Sequence, residues 1–83
     1  MMPSRYLITR CLQEYREENT RDTLIARNTI SRWICERHPE LVGVSRVWLH
    51  QMITRILSEA GVQRTNLSAH PNPTYRWPPG VMP

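Results

Sequence analysis

From Ser45 to Gly61 the chain reads "SRVWLHQMITRILSEAG", a stretch that limits the possible folds more than any other because both of its ends are marked. Ser45 stands where the side-chain oxygen of an N-cap accepts from a free backbone N–H of the first turn. Gly61 stands where a helix commonly closes with one residue in the left-handed conformation. At about 100° per residue, Leu49, Met52, Ile53, Ile56, Leu57 and Ala60 fall within about 80° of one direction, which predicts a helix over 45–60 with one buried face. Val47, Gln51, Thr54 and Ser58 lie opposite, flanked by His50 and Arg55, with Trp48 at the boundary. The outward side of this helix therefore carries few of the charges that usually solvate a surface.

With 83 residues the chain supports one core and one domain. "PSRYLITRCLQEYREEN" sets Leu7, Ile8, Cys11, Leu12 and Tyr15 at helical spacing, with Pro3 suited to its opening turn. Residues 23–27 fit either a short strand or an early turn of the next helix, and are read as a short strand ahead of it. Asn28 is the predicted N-cap of a second helix over about 29–38, with Ile30, Trp33 and Ile34 as its apolar stripe and Pro39 as its stop. In the loop that follows, Pro39 and Gly43 turn the chain and Val44 is the expected buried anchor. Beyond Gly61, "VQRTNLS" and "PTYRW" are strand-like runs separated by "AHPNP", which predicts an antiparallel hairpin. The tail "PPGVMP" has no periodicity, so the expected division is one domain over 1–77 and a Pro-rich linker or frayed end over 78–83.

Charge narrows the partners. All 11 basic side chains are Arg, none is Lys, and the formal net charge is +4. Two accounts of the Arg excess compete: bidentate pairing with phosphate and guanine edges, or codon bias across a genome. Either leaves a positive chain suited to a polyanion. The carboxylates at 14, 17, 18, 36 and 40 fall on apparent solvent faces, so no acid–base or nucleophilic constellation is expected and no enzymatic role. Glycines at 43, 61 and 80 cannot make a phosphate-cradling loop. Cys35 and His38 have the spacing of two zinc ligands, but a second pair is not visible, so no metal or cofactor is expected. Cys11 and Cys35 lie within apolar helical patterns and are expected to be reduced and buried. No apolar run approaches the roughly 18 residues of a membrane span, and "MMPSRYLITR" lacks a signal-peptide core. The expected address is intracellular, whether cytoplasmic, nucleoid or nuclear, with no membrane and no small-molecule substrate.

Helix, short strand, helix, turn, helix, hairpin: over residues 4 to 77 this order resembles the winged helix-turn-helix family. "VSRVWLHQMITRILSEAGVQRT" looks like that family's third helix, closing Gly and first wing strand, and "EAGVQR" is the most telling junction. The resemblance implies a mainly α fold with a small β-hairpin, in which three helices carry a two- or three-stranded wing sheet. It also implies double-stranded DNA as partner, with helix 45–60 in the major groove and hairpin 62–77 on the backbone or in the minor groove. A transcriptional regulator or the DNA-binding part of a replication or recombination protein would carry such a module. A homodimer partner or further domains are compatible with it.

The residues support this reading independently. A major groove about 12 Å wide admits a helix, and its base edges are read by groups that donate, accept or touch a methyl. Gln51 suits an adenine edge, Thr54 and His50 bases or phosphate, Val47 a thymine methyl, and Arg46 or Arg55 guanine or phosphate. Ser45 and Arg46 stand at a helix N-terminus able to hold a phosphate. In the hairpin, Arg64 and Arg76 are the candidate phosphate contacts, with Asn66 and His70 near its loop. Tyr75 and Trp77 share one strand face; like Trp33 and Trp48 they are assigned to the core of a protein without Phe. The alternative is a protein-interaction module of the same fold that docks through Val47, Trp48 and the hairpin edge.

Overall fold

The computed structural model describes residues 4–21, 23–66 and 71–83. It contains helix α1 (Arg5–Glu18), strand β1 (Leu24–Ala26), helix α2 (Arg27–Arg37), a 3-10 turn (Pro39–Leu41), helix α3 (Arg46–Glu59) and strands β2 (Gln63–Arg64) and β3 (Thr74–Arg76). The strands form one antiparallel sheet in the order β1-β3-β2. Mainly helical with a small three-stranded sheet, this layout is compatible with a winged helix. Among the described residues no helix is long and apolar enough to cross a membrane.

Each helix end has a separate cause. Ser4 opens α1, its hydroxyl accepting from Leu7 N at 3.3 Å; Pro3, expected in that turn, lies outside the described residues. Ser45 opens α3 in the same way, accepting from Trp48 N at 3.3 Å. At the far end of α3 Gly61 has φ +87°, Gly61 N donates to Ser58 O at 3.1 Å and Val62 N to Leu57 O at 2.9 Å. Those two bonds define a Schellman closure, and the buried pair Val62 and Leu57 supplies its apolar contact.

Helix α2 departs from expectation. It starts at Arg27, two residues before the predicted start, and Asn28 lies inside the first turn instead of capping it. Ala26 occupies the cap position and has no side chain to offer. The free amides are satisfied from elsewhere: Arg27 N donates to Pro73 O at 2.8 Å and Asn28 N to Asn72 Oδ1 at 3.2 Å. The loop before β3 thus caps α2 across space, which relieves the local sequence of that task. Residues 24–26 form the expected short strand, because β3 supplies a ladder for them.

The core is a single cluster. Ile8, Cys11, Leu12 and Tyr15 of α1 meet Ile30 and Ile34 of α2, Leu49, Ile53, Ile56 and Leu57 of α3, and Ile25, Tyr75 and Trp77 of the sheet region. Leu7, Trp33, Trp48, Met52 and Ala60 pack against its margin. Leu41, at 1% exposure, is the buried residue of the α2–α3 connection; Val44, the expected anchor, is only half-buried. Trp77 stacks on Tyr15 with centroids 5.9 Å apart, and Tyr15 meets Trp33 edge-on at 5.4 Å. Sequence reasoning missed Arg16: fully enclosed, it donates to Trp77 O at 2.7 Å and to Asn19 O and lies over the Trp77 ring.

The Pro-rich tail is neither frayed nor separate from the domain. Val81 packs against the core, Trp77 Nε1 donates to Val81 O at 2.6 Å, and Gln13 Nε2 donates to Pro83 O at 2.8 Å. Its prolines remove donors without preventing the few contacts that dock it.

Candidate functional site

The outer side of α3 is built as its periodicity requires. With Leu49, Ile53, Ile56 and Leu57 inward, Arg46, Val47, Gln51, Arg55 and Ser58 are left exposed, and Val47 keeps 66% of its surface. Ser45 is exposed but its hydroxyl is committed to the cap. The candidate residues on α3 therefore fall into two sets. Val47, Gln51 and Arg55 are open to a partner, whereas His50 and Thr54 turn toward the rest of the fold and are half-buried.

Thr54 is a junction. Its Oγ1 accepts from Arg27 Nη1 at 3.1 Å and bonds Tyr75 Oη at 2.9 Å, linking α3 to α2 and to the middle strand. Thr54, expected to contact a base or phosphate directly, thus has two partners within the fold and is half-buried. Arg27, absent from the candidates, is what the sequence did not disclose. Its Nη2 also donates to Pro71 O at 3.4 Å, and its Nε is buried without a hydrogen-bond partner. Only the packing of α2 against α3 brings Arg27 to a concavity of ≈ 640 Å³ lined with Gln51, Thr54, Arg55, Ser58 and Glu59. The carboxylate there, Glu59, is ion-paired with Arg5, whose hydrogen bond holds it below its usual pKa with help from the charges of Arg5 and Arg55.

A second groove, of ≈ 570 Å³, runs between α2 and the first half of α3, lined by Asn28, Ser31 and Arg32 on one side and Arg46 and His50 on the other, with exposed Glu36. Arg46 Nη1 donates to Cys35 Sγ at 3.1 Å. His50 Nε2 lies 3.2 Å from Ser31 Oγ. Ser31 Oγ donates its one proton to Asn28 O at 3.3 Å, so it accepts from His50, and the neutral ring carries its proton on Nε2. Burial first, then the charges of Arg27 and Arg46, push the His50 pKa below its ordinary value.

The hairpin candidates are separated by register. Arg64 faces Tyr75 across the ladder and so shares the sheet face turned to Thr54 and α3. Arg76 faces Leu24 and Gln63, and all three are exposed on the opposite face. The two guanidiniums cannot lie along one phosphate path on a single face of the sheet. Asn66 is a turn residue: its Oδ1 accepts from Thr74 N at 3.2 Å and Arg64 Nε at 3.0 Å, and its Nδ2 donates to Asn72 O at 2.9 Å. An amide used at both ends has little left for DNA. His70 lies outside the described residues.

The two residues with zinc-ligand spacing have other partners, His38 meeting Glu14 at 3.2 Å and Glu40 at 3.5 Å while Cys35 meets Arg46. Both cysteines are free and buried, and burial raises the Cys11 thiol to about 11, so it stays protonated. No protein-family model, curated protein or solved structure matches the chain.

Proposed function

We propose that this protein is a duplex-DNA-binding module of winged-helix type, with α3 directed to the major groove and Arg64 to the backbone beside it. One observation carries the reading. Arg27, Gln51 and Arg55 line a single concavity whose sole carboxylate is already held by Arg5. Such a surface offers a reading amide together with two cations and presents little repulsion to phosphate. Arg27, Arg46, Arg55 and Arg76 make no ion pair among the described residues, whereas Arg5 and Arg37 are paired with Glu59 and Glu18. Gln51 suits adenine, Val47 a thymine methyl, and Arg46 and Arg55 guanine or phosphate.

Titration of a labelled duplex into the protein at several salt concentrations tests this. If Arg27, Arg46, Arg55 and Arg64 each neutralise a phosphate, log K falls against log salt with a slope of about −3 to −4. Binding weaker than about 100 μM at low salt is below even the usual nonspecific range and refutes the proposal.

The protein-interaction reading is favoured by one feature, the exposure of Val42 at 61% and Val47 at 66% near the start of α3. Half-buried Trp48 and a two-residue edge strand β2 give such a partner less to hold than expected. A partner docked there tolerates salt and depends on Val47, the reverse of the behaviour expected for DNA.

A further inference from the structure

We infer that the groove between α2 and α3 takes a phosphate group and that His50 gains a proton when the phosphate is seated. The source of the phosphate, the backbone of a DNA duplex, rests on the function proposed above; the groove and its chemistry do not.

The groove is lined by Arg32 and Arg46, with Asn28 as a polar neighbour and the imidazole of His50 beside them. Its ≈ 570 Å³ is ample for one phosphate. The charged and titratable groups around His50 are Arg27, Arg32, Cys35 and Glu36 from α2 and Arg46 from its own helix. Val42, beyond the 3-10 turn, adds an apolar wall. In the free protein the positive groups oppose an imidazolium, and the ring is neutral with its proton on Nε2 toward Ser31. Nδ1 has no hydrogen-bond partner among the described residues and is the atom left to take up a proton. A phosphate between Arg32 and Arg46 reverses the local field: it offsets the two guanidiniums and favours the charged ring.

The sign of the coupling follows. His50 titrates at a lower pH free than with phosphate bound, so one proton is taken up on binding in the interval between the two values. Affinity therefore rises as pH falls through that interval, and levels off below the titration point of the free protein. Glu36, the one carboxylate of the groove, opposes the anion, so Glu36→Gln should tighten binding.

The experiment follows the His50 ring by NMR in the unaltered full chain, assigned through its backbone resonances, from about pH 5.5 to pH 8. It is run with the protein alone, with inorganic phosphate and with a duplex at fixed salt. The expected result is that both probes move the His50 titration upward, and that duplex affinity tightens by up to about tenfold per pH unit on acidification. His50→Gln should bind with that dependence removed. If neither probe moves the His50 titration, the residue is only a strut between α2 and α3 and the inference is overturned. A duplex that binds while His50 stays unmoved overturns it too, and leaves the DNA reading standing. Phosphate that moves His50 while no duplex binds supports the groove and refutes the DNA reading.

Discussion

Thr54 carries the sharpest division between a residue that reads a partner and one that holds the fold. Its hydroxyl accepts from Arg27 Nη1 and bonds Tyr75 Oη, so replacing it by a side chain of nearly the same shape deprives half-buried Arg27 and buried Tyr75 of one partner each. Thr54→Val should cost about 1–2 kcal/mol. In a domain of this size that lowers Tm by about 4–8 °C per kcal/mol, with the salt dependence of duplex binding unchanged. Thermal melts and duplex titrations of the same variant check both halves. A Tm that holds while affinity drops would return Thr54 to the reading surface. Sequence periodicity placed Thr54 on the side of α3 away from Leu49 and Ile53 and so read it as outward-facing, whereas it is half-buried. It could not show that Tyr75, from a strand 21 residues further along the chain, reaches that side too.

At the level of elements, α3 and α2 differ in where their end signals are stored. The closure of α3 is local: Gly61 at φ +87°, with open space where a Cβ would go, so Gly61→Ala should cost about 1 kcal/mol through backbone strain alone. The start of α2 is long-range, because Asn72 Oδ1 caps Asn28 N from a loop 44 residues away. Asn72→Ala should cost a similar amount, about 1 kcal/mol, and also loosen the loop against α2. Hydrogen exchange separates the two variants. Gly61→Ala should raise exchange at Gly61 and Val62, whereas Asn72→Ala should raise it at Arg27 and Asn28, at the opposite end of the fold's capping network. Equal exchange at Asn28 in both variants would rule out capping by Asn72.

Across the whole molecule the distribution of charge matters more than its sum. Much of the carboxylate pairing lies away from the Gln51 concavity, in the pairs Arg37–Glu18, His38–Glu14 and His38–Glu40. Changing Arg55→Glu with Arg64→Glu should weaken duplex binding by at least about tenfold and reduce the salt slope by about 2. Arg10→Glu with Arg21→Glu removes the same net charge from exposed positions on and beyond α1, and should change affinity by less than about threefold. Equal losses from both pairs would mean that net charge alone attracts the duplex and that α3 has no directed role.

The sequence by itself determined α3 to within a residue at each end, the antiparallel hairpin after it and most of the core. Each depends on signals a few residues apart: a cap, a stripe of apolar side chains at helical spacing, an alternation along a strand. Tertiary structure alone decided that β1 pairs with β3 at the edge of the sheet, that Arg16 is enclosed by Trp77, that Arg64 and Arg76 face opposite ways, and that Arg27 joins the candidate surface. Those outcomes turn on hydrogen bonds and register between segments that meet only once the core has closed. A chain read one window at a time contains no term for them.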